Sequence, residues 1–225
     1  FQYDINPDIF KRGNMQSLAR TLRYQWLDTT AKNHGYQRIA VAHHQDDMIE
    51  TFFINLLRGS GLKGLEPFSE KNDKIIRPLM FATRTEIEDF AGTQKIRYRE
   101  DNSNKSSKYL RNRLRNEVLP HLYKADQRAY HGLVHSVAMV RNTNQLLHFL
   151  LNKTSAHLIK KKSGYTEFDL HEFSMQNSYI QWLYHLISPY GFNMDQVEGI
   201  LRPDTKSGSY FATKEYEAIK DRGNL

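Results

Sequence analysis

Cysteine is absent from this chain of 225 residues. Disulfide bonds, cysteine-ligated zinc and thiolate catalysis are therefore excluded for this sequence. Long apolar runs are absent too, because none approaches the roughly 18 residues that a membrane-spanning helix needs. Repeats and low-complexity segments do not occur either. These absences predict a cytoplasmic protein with no membrane partner, stabilised by its own apolar core.

The residues that are present support such a core. Apolar residues make up 39% of the chain and aromatic residues 12%, and the length suits two modest domains. The formal net charge is +7, which favours a polyanionic partner because clustered lysine and arginine release counterions from a phosphate backbone. The chain begins at Phe1 without an initiator methionine, and we expect it to be a piece of a longer protein.

Hydrophobic periodicity predicts an α/β arrangement in the first half. A helix is predicted from Met15 to His34, ended by Gly35, and a short buried strand follows at 39–42. A second helix is predicted from an apolar stripe and two terminating glycines. The stripe comprises Ile49, Phe52, Phe53, Leu56 and Leu57. Helix, strand and helix in this order are typical of a layered α/β fold.

The second half has a more helical pattern. Thr83 and Glu86 predict a capping box before a helix at 84–94. A domain division is predicted inside a long helix, giving domains 1–135 and 136–225, the second mainly helical with extended chain at 165–170. An apolar face in that second domain is interpreted as core packing; it comprises Leu146, Leu147, Phe149 and Leu150.

The polar stretch at residues 43–51 contains the most informative chemistry, since it follows a predicted buried strand and begins a helix. Asp46 or Asp47 could cap that helix, with Glu50 completing a capping box. Capping needs only one carboxylate and leaves His43, His44 and the second aspartate unexplained. Two imidazoles and two carboxylates at a strand end are costly to bury unless they bind a metal, a phosphate or each other.

Residues 43–51 resemble a family motif, HHxDDxxET, and residues 56–65 resemble the LxRGSGxxGL segment that follows it. Other family segments are matched in order: GNxQxxARxxRY at 13–24, RPL at 77–79, the arginine and glutamate of SRxEL at Arg84 and Glu86, REDxSN at 99–104 and YxRNRLR at 109–115. The family is tRNA(Ile)-lysidine synthetase, of the PP-loop ATP pyrophosphatase superfamily. The resemblance is strongest over residues 10–125.

The resemblance implies a Rossmann-like, adenine nucleotide alpha hydrolase-like parallel sheet, incomplete here, followed by a small helical domain. It implies an ATP-dependent ligase that adenylates the wobble cytidine of tRNA(Ile) with a CAU anticodon and then attaches free lysine. The implied cofactors are ATP and Mg²⁺. The implied partners are tRNA(Ile), free L-lysine and, as an option, a second copy in a homodimer.

The resemblance also implies roles for individual residues. The catalytic candidates are Asp47, Asp46, Arg23, His43 and His44, and Asp47 is the candidate Mg²⁺ ligand. ATP-binding candidates are His43, His44, Arg20 and Arg23, since forked guanidinium donors match phosphate oxygens. Independently of the resemblance, a cluster of cations with Tyr98 and Tyr109 interleaved favours contact with RNA phosphates; its candidates are Arg111, Arg113, Arg115, Lys108 and Arg99.

One family segment has no counterpart in the sequence. The PP-loop itself, of the form SGGxDS, would grip the pyrophosphate with backbone amides, and no such segment occurs at residues 1–14. We therefore expect the chain as written to be inactive by itself.

Three alternatives stay open at this stage. Another PP-loop enzyme, such as a tRNA thiolase, would need the cysteines that this sequence lacks. A metal-dependent phosphoesterase could use the paired histidines and aspartates as ligands, but His34, His121 and His171 have no matching context. A non-catalytic tRNA-binding module would agree with the charge and with the missing PP-loop.

Overall fold

A computed structural model describes residues 15–99, 109–173 and 177–225 of the chain. The chain forms two compact units, residues 1–140 and 141–225. The junction lies within one long helix, and so does the division after residue 135 that the sequence predicted. In the described part of the chain, no helix combines the length and the apolar character that crossing a membrane requires.

The first unit combines helices with a small sheet. Its elements are α1 (Met15–Asn33), β1 (Ile39–Ala40), α2 (Gln45–Leu57), α3 (Leu62–Leu65), β2 (Lys71–Asn72), β3 (Ile75–Ile76), α4 (Arg84–Thr93), α5 (Leu110–Arg113), a π-helical turn (Leu114–Val118), α6 (Leu119–Ala125) and the start of α7 (Ala129–Ser155). The sheet has the order β1-β3-β2, in which β1 and β3 are parallel and β2 and β3 antiparallel. The predicted α/β class is confirmed.

Local signals in the first unit are mostly confirmed. Thr83 caps α4, and Glu86 accepts the Thr83 amide proton, as a capping box requires. Gly35 has a φ of +69° just after α1. The prediction of a strand at 39–42 buried on both faces was wrong in extent, since only Ile39–Ala40 is a strand and Ala40 is exposed. Among the described residues, β1 pairs with β3 alone.

A short hydrophobic cluster holds α2 in place in this unit. Met48 packs with Met80 and Val137, which lie after β3 and on α7. Gln45 at the start of α2 accepts a hydrogen bond from the Tyr130 hydroxyl at 3.1 Å. The first turn of α2 is therefore fixed by apolar packing below it and by a polar contact beside it.

The second unit has two hairpins and two short helices. Its elements are the end of α7, a 3₁₀ turn (Ala156–Leu158), β4 (Ile159–Lys162), β5 (Tyr165–Phe168), α8 (Asn177–Ile187), a 3₁₀ turn (Ser188–Tyr190), α9 (Met194–Leu201), β6 (Tyr210–Ala212) and β7 (Glu217–Ile219). Both hairpins are antiparallel. The core contains Leu158, Phe168, Leu183, Ile187, Val197 and Ile200.

The predicted core face on α7 was wrong. The exposed fractions are 58% for Leu146, 41% for Leu147, 62% for Phe149 and 46% for Leu150. The buried positions of this half of the helix are Asn144 and Ser155, and Ser155 Oγ accepts a hydrogen bond from Trp182 Nε1 at 2.6 Å. Both buried positions are polar, so apolar content alone pointed to the opposite face of the helix.

Candidate functional site

The site begins where β1 ends and α2 starts. His44 is the N-cap of α2, and Asp46 and Asp47 lie in the first turn. The prediction that an aspartate caps this helix was therefore wrong. Asp47 instead reaches back, and its Oδ2 accepts the backbone N–H of His44 at 3.2 Å. Carboxylates in a first turn are stabilised by the positive end of the helix dipole.

His44 lies between the two aspartates. Its Nδ1 is 3.3 Å from Asp46 Oδ2, and its Nε2 is 3.4 Å from Asp47 Oδ2. Burial disfavours the imidazolium, but the contacts with Asp46 and Asp47 outweigh burial and raise the pKa of His44. Asp46 Oδ2 also accepts the backbone N–H of Arg84 at 2.8 Å. Burial opposes ionisation of Asp46, yet these donors hold its pKa below the usual value.

Glu50 forms the buried acidic part of the site rather than part of a capping box. Only 1% of this residue is exposed. Arg115 Nε donates to Glu50 Oε1 at 2.6 Å and its Nη2 to Oε2 at 2.9 Å, a two-pronged contact. The same Nη2 donates to Asp47 Oδ1 at 3.2 Å. Burial raises the pKa of Glu50, and the Arg115 guanidinium opposes that rise.

The arginines of the α5 region divide between two environments. Arg111 Nη2 donates to Thr51 Oγ1 at 2.8 Å, and Arg115 binds Glu50, so both point toward α2. Arg115 lies in the π-helical turn, a geometry that recurs at functional sites. Arg113, between them, is exposed.

The remaining RNA-contact candidates lie apart from these ion pairs or outside the described residues. Arg99 is exposed, whereas Lys108 lies outside the described residues. An RNA contact by any of the five residues stays a prediction, and for Arg111 and Arg115 it would have to coexist with the contacts to α2.

A separate set of contacts involves His43. Arg77 Nε donates to His43 Nδ1 at 3.2 Å, and Arg77 Nη1 donates to the Ser69 carbonyl oxygen at 2.6 Å. The Arg77 guanidinium also lies over the Phe68 ring, 4.8 Å from its centroid. Burial lowers the pKa of His43, and the charge of Arg77 adds to that effect.

Arg20 and Arg23 on α1 were both predicted to bind ATP, but they differ in how they relate to His43 and Arg77. The charge of Arg20 lowers the pKa of both His43 and Arg77, so Arg20 lies within electrostatic reach of them. Its guanidinium is 5.0 Å from the centre of the Tyr24 ring. Arg23 is exposed on the same helix. Its predicted role in phosphate binding stays a prediction.

Sequence reasoning missed two residues that organise the site. Glu50 was assigned to a cap, and Arg77 was noticed only as part of the RPL motif. A fully buried glutamate and a buried arginine can be recognised only from their partners, which lie 65 and 34 residues away along the chain. A motif match indicates that such residues matter but does not identify their contacts.

The combined charge of the site suits a polyphosphate. Arg20, Arg77, Arg111 and Arg115 accompany the three carboxylates of Asp46, Asp47 and Glu50. Guanidinium groups donate to phosphate oxygens in a fixed fork. Ligands of open α/β folds bind beyond the carboxyl ends of the strands. This cluster follows a strand of a parallel pair, and its arginines outnumber its carboxylates, so an anionic ligand suits it.

Comparison with known proteins agrees with these features. The family model of the PP-loop domain matches residues 1–122 of this chain, and the family model of the TilS substrate binding domain matches residues 161–225. The tRNA(Ile)-lysidine synthase of Porphyromonas gingivalis strain W83 is 33% identical over 223 residues, covering 94% of this chain and 46% of the relative. That of Bacteroides thetaiotaomicron is 29% identical over 216 residues, covering 96% and 50%.

Another relative matches a smaller part of the chain. The tRNA(Ile)-lysidine synthase of Thermotoga maritima is 36% identical over 141 residues, covering 60% of this chain and 34% of the relative. The chain spans about half the length of the first relatives it matches. The chain therefore belongs to the PP-loop domain family, and its C-terminal part is similar to the TilS substrate binding domain.

Proposed function

We propose that the full-length protein makes lysidine in tRNA(Ile). In the first step, the C2 oxygen of the wobble cytidine attacks the α-phosphate of ATP, forming a C2–O–AMP bond and releasing pyrophosphate. In the second step, the ε-amine of lysine attacks C2, AMP leaves with the oxygen, and the amine loses its proton. The observation that supports this best is the group of two histidines, three carboxylates and four arginines at the start of α2.

Within this proposal, the arginines bind phosphate oxygens and the carboxylates orient the amine. Arg20 and Arg23 on α1 are proposed for the phosphates, because their forked donors match phosphoryl oxygens. Asp47, with Asp46 beside it, is proposed to accept the N–H groups of the attacking lysine. The Arg115 contact keeps the Asp47 carboxylate in one orientation, so the amine meets a preorganised acceptor.

Mg²⁺ is proposed to arrive with the phosphates of ATP. This ion keeps several waters and binds proteins through one or two carboxylates plus substrate phosphates. That mode fits the site, because the described residues include no group of three or more histidine, aspartate and glutamate side chains placed to hold a metal. Asp47 is the proposed ligand through Oδ1, which accepts one hydrogen bond, from Arg115, and retains a second lone pair, whereas Oδ2 faces both the backbone N–H and Nε2 of His44. The bound ion would neutralise charge on the phosphates.

The alternatives are less well supported. A phosphoesterase with two metals would require a larger ligand set than the described residues supply. A tRNA thiolase would require cysteines, and the sequence has none. The curated relatives carry the name of the lysidine-forming enzyme, not of a thiolase or a phosphoesterase.

Replacing Asp47 by Asn in the full-length protein tests the proposal. The amide keeps the shape but loses the charge, so we expect lysine incorporation into tRNA(Ile) to fall by at least about 100-fold while tRNA affinity changes little. Asp126→Asn, which changes an exposed aspartate of the same unit, is the matched control. Normal incorporation by Asp47→Asn would reject the catalytic assignment, and no incorporation by the unmodified protein would reject the function.

A further inference from the structure

The imidazole of His43 and the guanidinium of Arg77 both pack against the phenyl ring of Phe68. The His43 and Phe68 ring centroids are 4.6 Å apart, and the Arg77 guanidinium lies over the same phenyl ring. Arg77 is 7% exposed, and its Nη1 is held by the Ser69 carbonyl oxygen. The guanidinium therefore has a fixed position, and its Nε–H points at His43 Nδ1.

This contact determines which imidazole nitrogen holds the proton. Arginine donates hydrogen bonds, has no acceptor, and does not lose its proton in proteins. The nitrogen that faces Arg77 Nε is Nδ1 of His43, at 3.2 Å, so Nδ1 must present its lone pair. A neutral imidazole with an unprotonated Nδ1 has its proton on Nε2.

The surroundings also keep the ring neutral. Burial disfavours the imidazolium, and Arg77, Arg20 and Arg111 add positive charge around it. The negative charge of Asp47 has the opposite effect, but the pKa of His43 stays lowered. A cationic His43 would also need a proton on Nδ1, which would point at the Arg77 N–H and break the hydrogen bond.

The other nitrogen of His43 is the one that can meet a ligand. No hydrogen bond from a described residue to Nε2 is found, although His43 lies at the end of β1 and beside the arginines of the site. An N–H group in such a place donates to an oxygen. It cannot accept a proton or bind a metal, because its lone pair belongs to the ring's π system.

We propose that Arg77 is a positioning residue that holds His43 as a neutral Nε2–H donor, and that this N–H binds a phosphoryl oxygen of the nucleotide or of the adenylated cytidine. The inference deepens the proposed function and rests on it for the identity of the ligand. It assigns His43 the part of an oxyanion donor, and excludes it as a general base and as a metal ligand.

Two substitutions of His43 separate these roles. The amide nitrogen of glutamine reaches the position of Nε2, whereas that of asparagine, one bond shorter, reaches the position of Nδ1. We expect His43→Gln to retain lysine incorporation within about tenfold in the full-length protein, and His43→Asn to lose about 100-fold or more, the cost typical of removing one oxyanion donor. If His43 were a general base or a metal ligand, lysine incorporation would fall equally in both variants. Equal losses in the two variants would therefore overturn the proposal.

Nitrogen NMR of the unmodified chain tests the tautomer without reference to catalysis. With ¹⁵N-labelled histidine and His43→Gln to assign the signal, we expect Nε2 protonated and Nδ1 unprotonated at neutral pH. Replacing Arg77 by Met removes the donor but keeps an apolar group against Phe68, so the tautomers should then mix and the pKa of His43 should rise. A proton on Nδ1 of the unmodified chain would overturn the proposal.

The two experiments fail in distinguishable ways. If the full-length protein incorporates no lysine at all, the proposed function fails, while the NMR result still decides whether Arg77 sets the tautomer. If incorporation is normal and both His43 variants are equally impaired, the function stands and the donor role fails. Should Arg77→Met not fold, the comparison of glutamine with asparagine at His43 remains decisive.

Discussion

At the scale of single residues, Arg115 supports the whole acidic side of the site. Glu50 is almost completely buried, and Arg115 supplies both of its strong hydrogen bonds as well as one to Asp47. A buried carboxylate is tolerated only when it is paired, because removing it from water costs several kcal/mol. The Arg115–Glu50 ion pair thus contributes to stability mainly because it prevents the buried charge of Glu50 from being left without a partner.

Arg115→Ala should accordingly destabilise the chain by about 1–3 kcal/mol, since it removes both short hydrogen bonds of the buried Glu50 and leaves only Arg111 Nε, 3.5 Å from Glu50 Oε2, as its described ion-pair partner. Urea unfolding of this chain measures the loss. Arg113→Ala is the matched control, because Arg113 is exposed in the same segment, and its effect should stay within about 0.5 kcal/mol. Equal effects of the two substitutions would show that the Glu50 contact does not stabilise the fold.

The charge state of His44 should make stability depend on pH. Its folded pKa is raised by Asp46 and Asp47, so the folded state binds the proton more tightly than the unfolded state. The stabilisation is fully present below about pH 6.5, the unfolded value, and is lost as pH rises through the raised pKa. His44→Gln should therefore be destabilised relative to the unmodified chain at about pH 6, with a difference that narrows toward about pH 9.

Chemical denaturation at several pH values measures this difference. His135→Gln, at an exposed position of the same unit, is the control for the loss of an imidazole. A His44→Gln difference that widens as pH rises would have the wrong sign and would contradict the assignment of the ion pairs.

Residue chemistry could be predicted only where it is local. His43, His44, Asp46 and Asp47 are neighbours in the sequence, so their convergence at one strand end was predictable from the pattern. The partners that bind them in the folded chain, Arg77 and Arg115 among them, come from distant segments. No periodicity connects such pairs, because they are brought together by the parallel pairing of β1 with β3 and by the packing of α5 on α2.

At the scale of elements, α7 shows how a helix can be predicted correctly and oriented wrongly. Its length and register follow from helical periodicity, whereas its inward stripe in the second unit contains Asn144 and Ser155. Ser155 binds the indole N–H of Trp182, and His185 contacts both His148 and Asn152. A buried polar stripe is stable when its groups are hydrogen-bonded, and sequence patterns that follow apolar residues do not detect it.

Phe149→Ser tests the orientation of this helix. Because 62% of Phe149 is exposed, its removal should change the free energy of unfolding by no more than about 0.5 kcal/mol. Leu183→Ala on α8 is the contrasting variant, since Leu183 is fully buried and its truncation should cost about 2–5 kcal/mol. Both values come from urea unfolding, and a large loss in Phe149→Ser would place that face in the core.

At the scale of the whole molecule, the predicted fold class is confirmed, while the elements and their boundaries were predicted less accurately. The helix predicted at 84–94 is found at Arg84–Thr93 because its capping box is a local signal. The second unit contains two hairpins that a mainly helical prediction understated. Hairpins of three or four residues per strand carry too few alternating positions for period-2 patterns to reveal them.

The net charge of +7 is likewise a property of the whole chain, and it predicts salt-dependent binding of RNA. Arg99 and Arg113 are exposed, so each is free of the buried ion pairs that engage Arg115. If each neutralises one phosphate of tRNA(Ile), replacing it by alanine should weaken binding and reduce the slope of log affinity against log salt by about 1.

Arg128→Ala removes the same charge from an exposed pair with Asp126 and is the matched control. Filter binding of this chain to tRNA(Ile) between about 50 and 200 mM salt measures the slopes. Slopes for Arg99→Ala and Arg113→Ala equal to that of Arg128→Ala would mean that net charge alone, not these two positions, attracts the RNA.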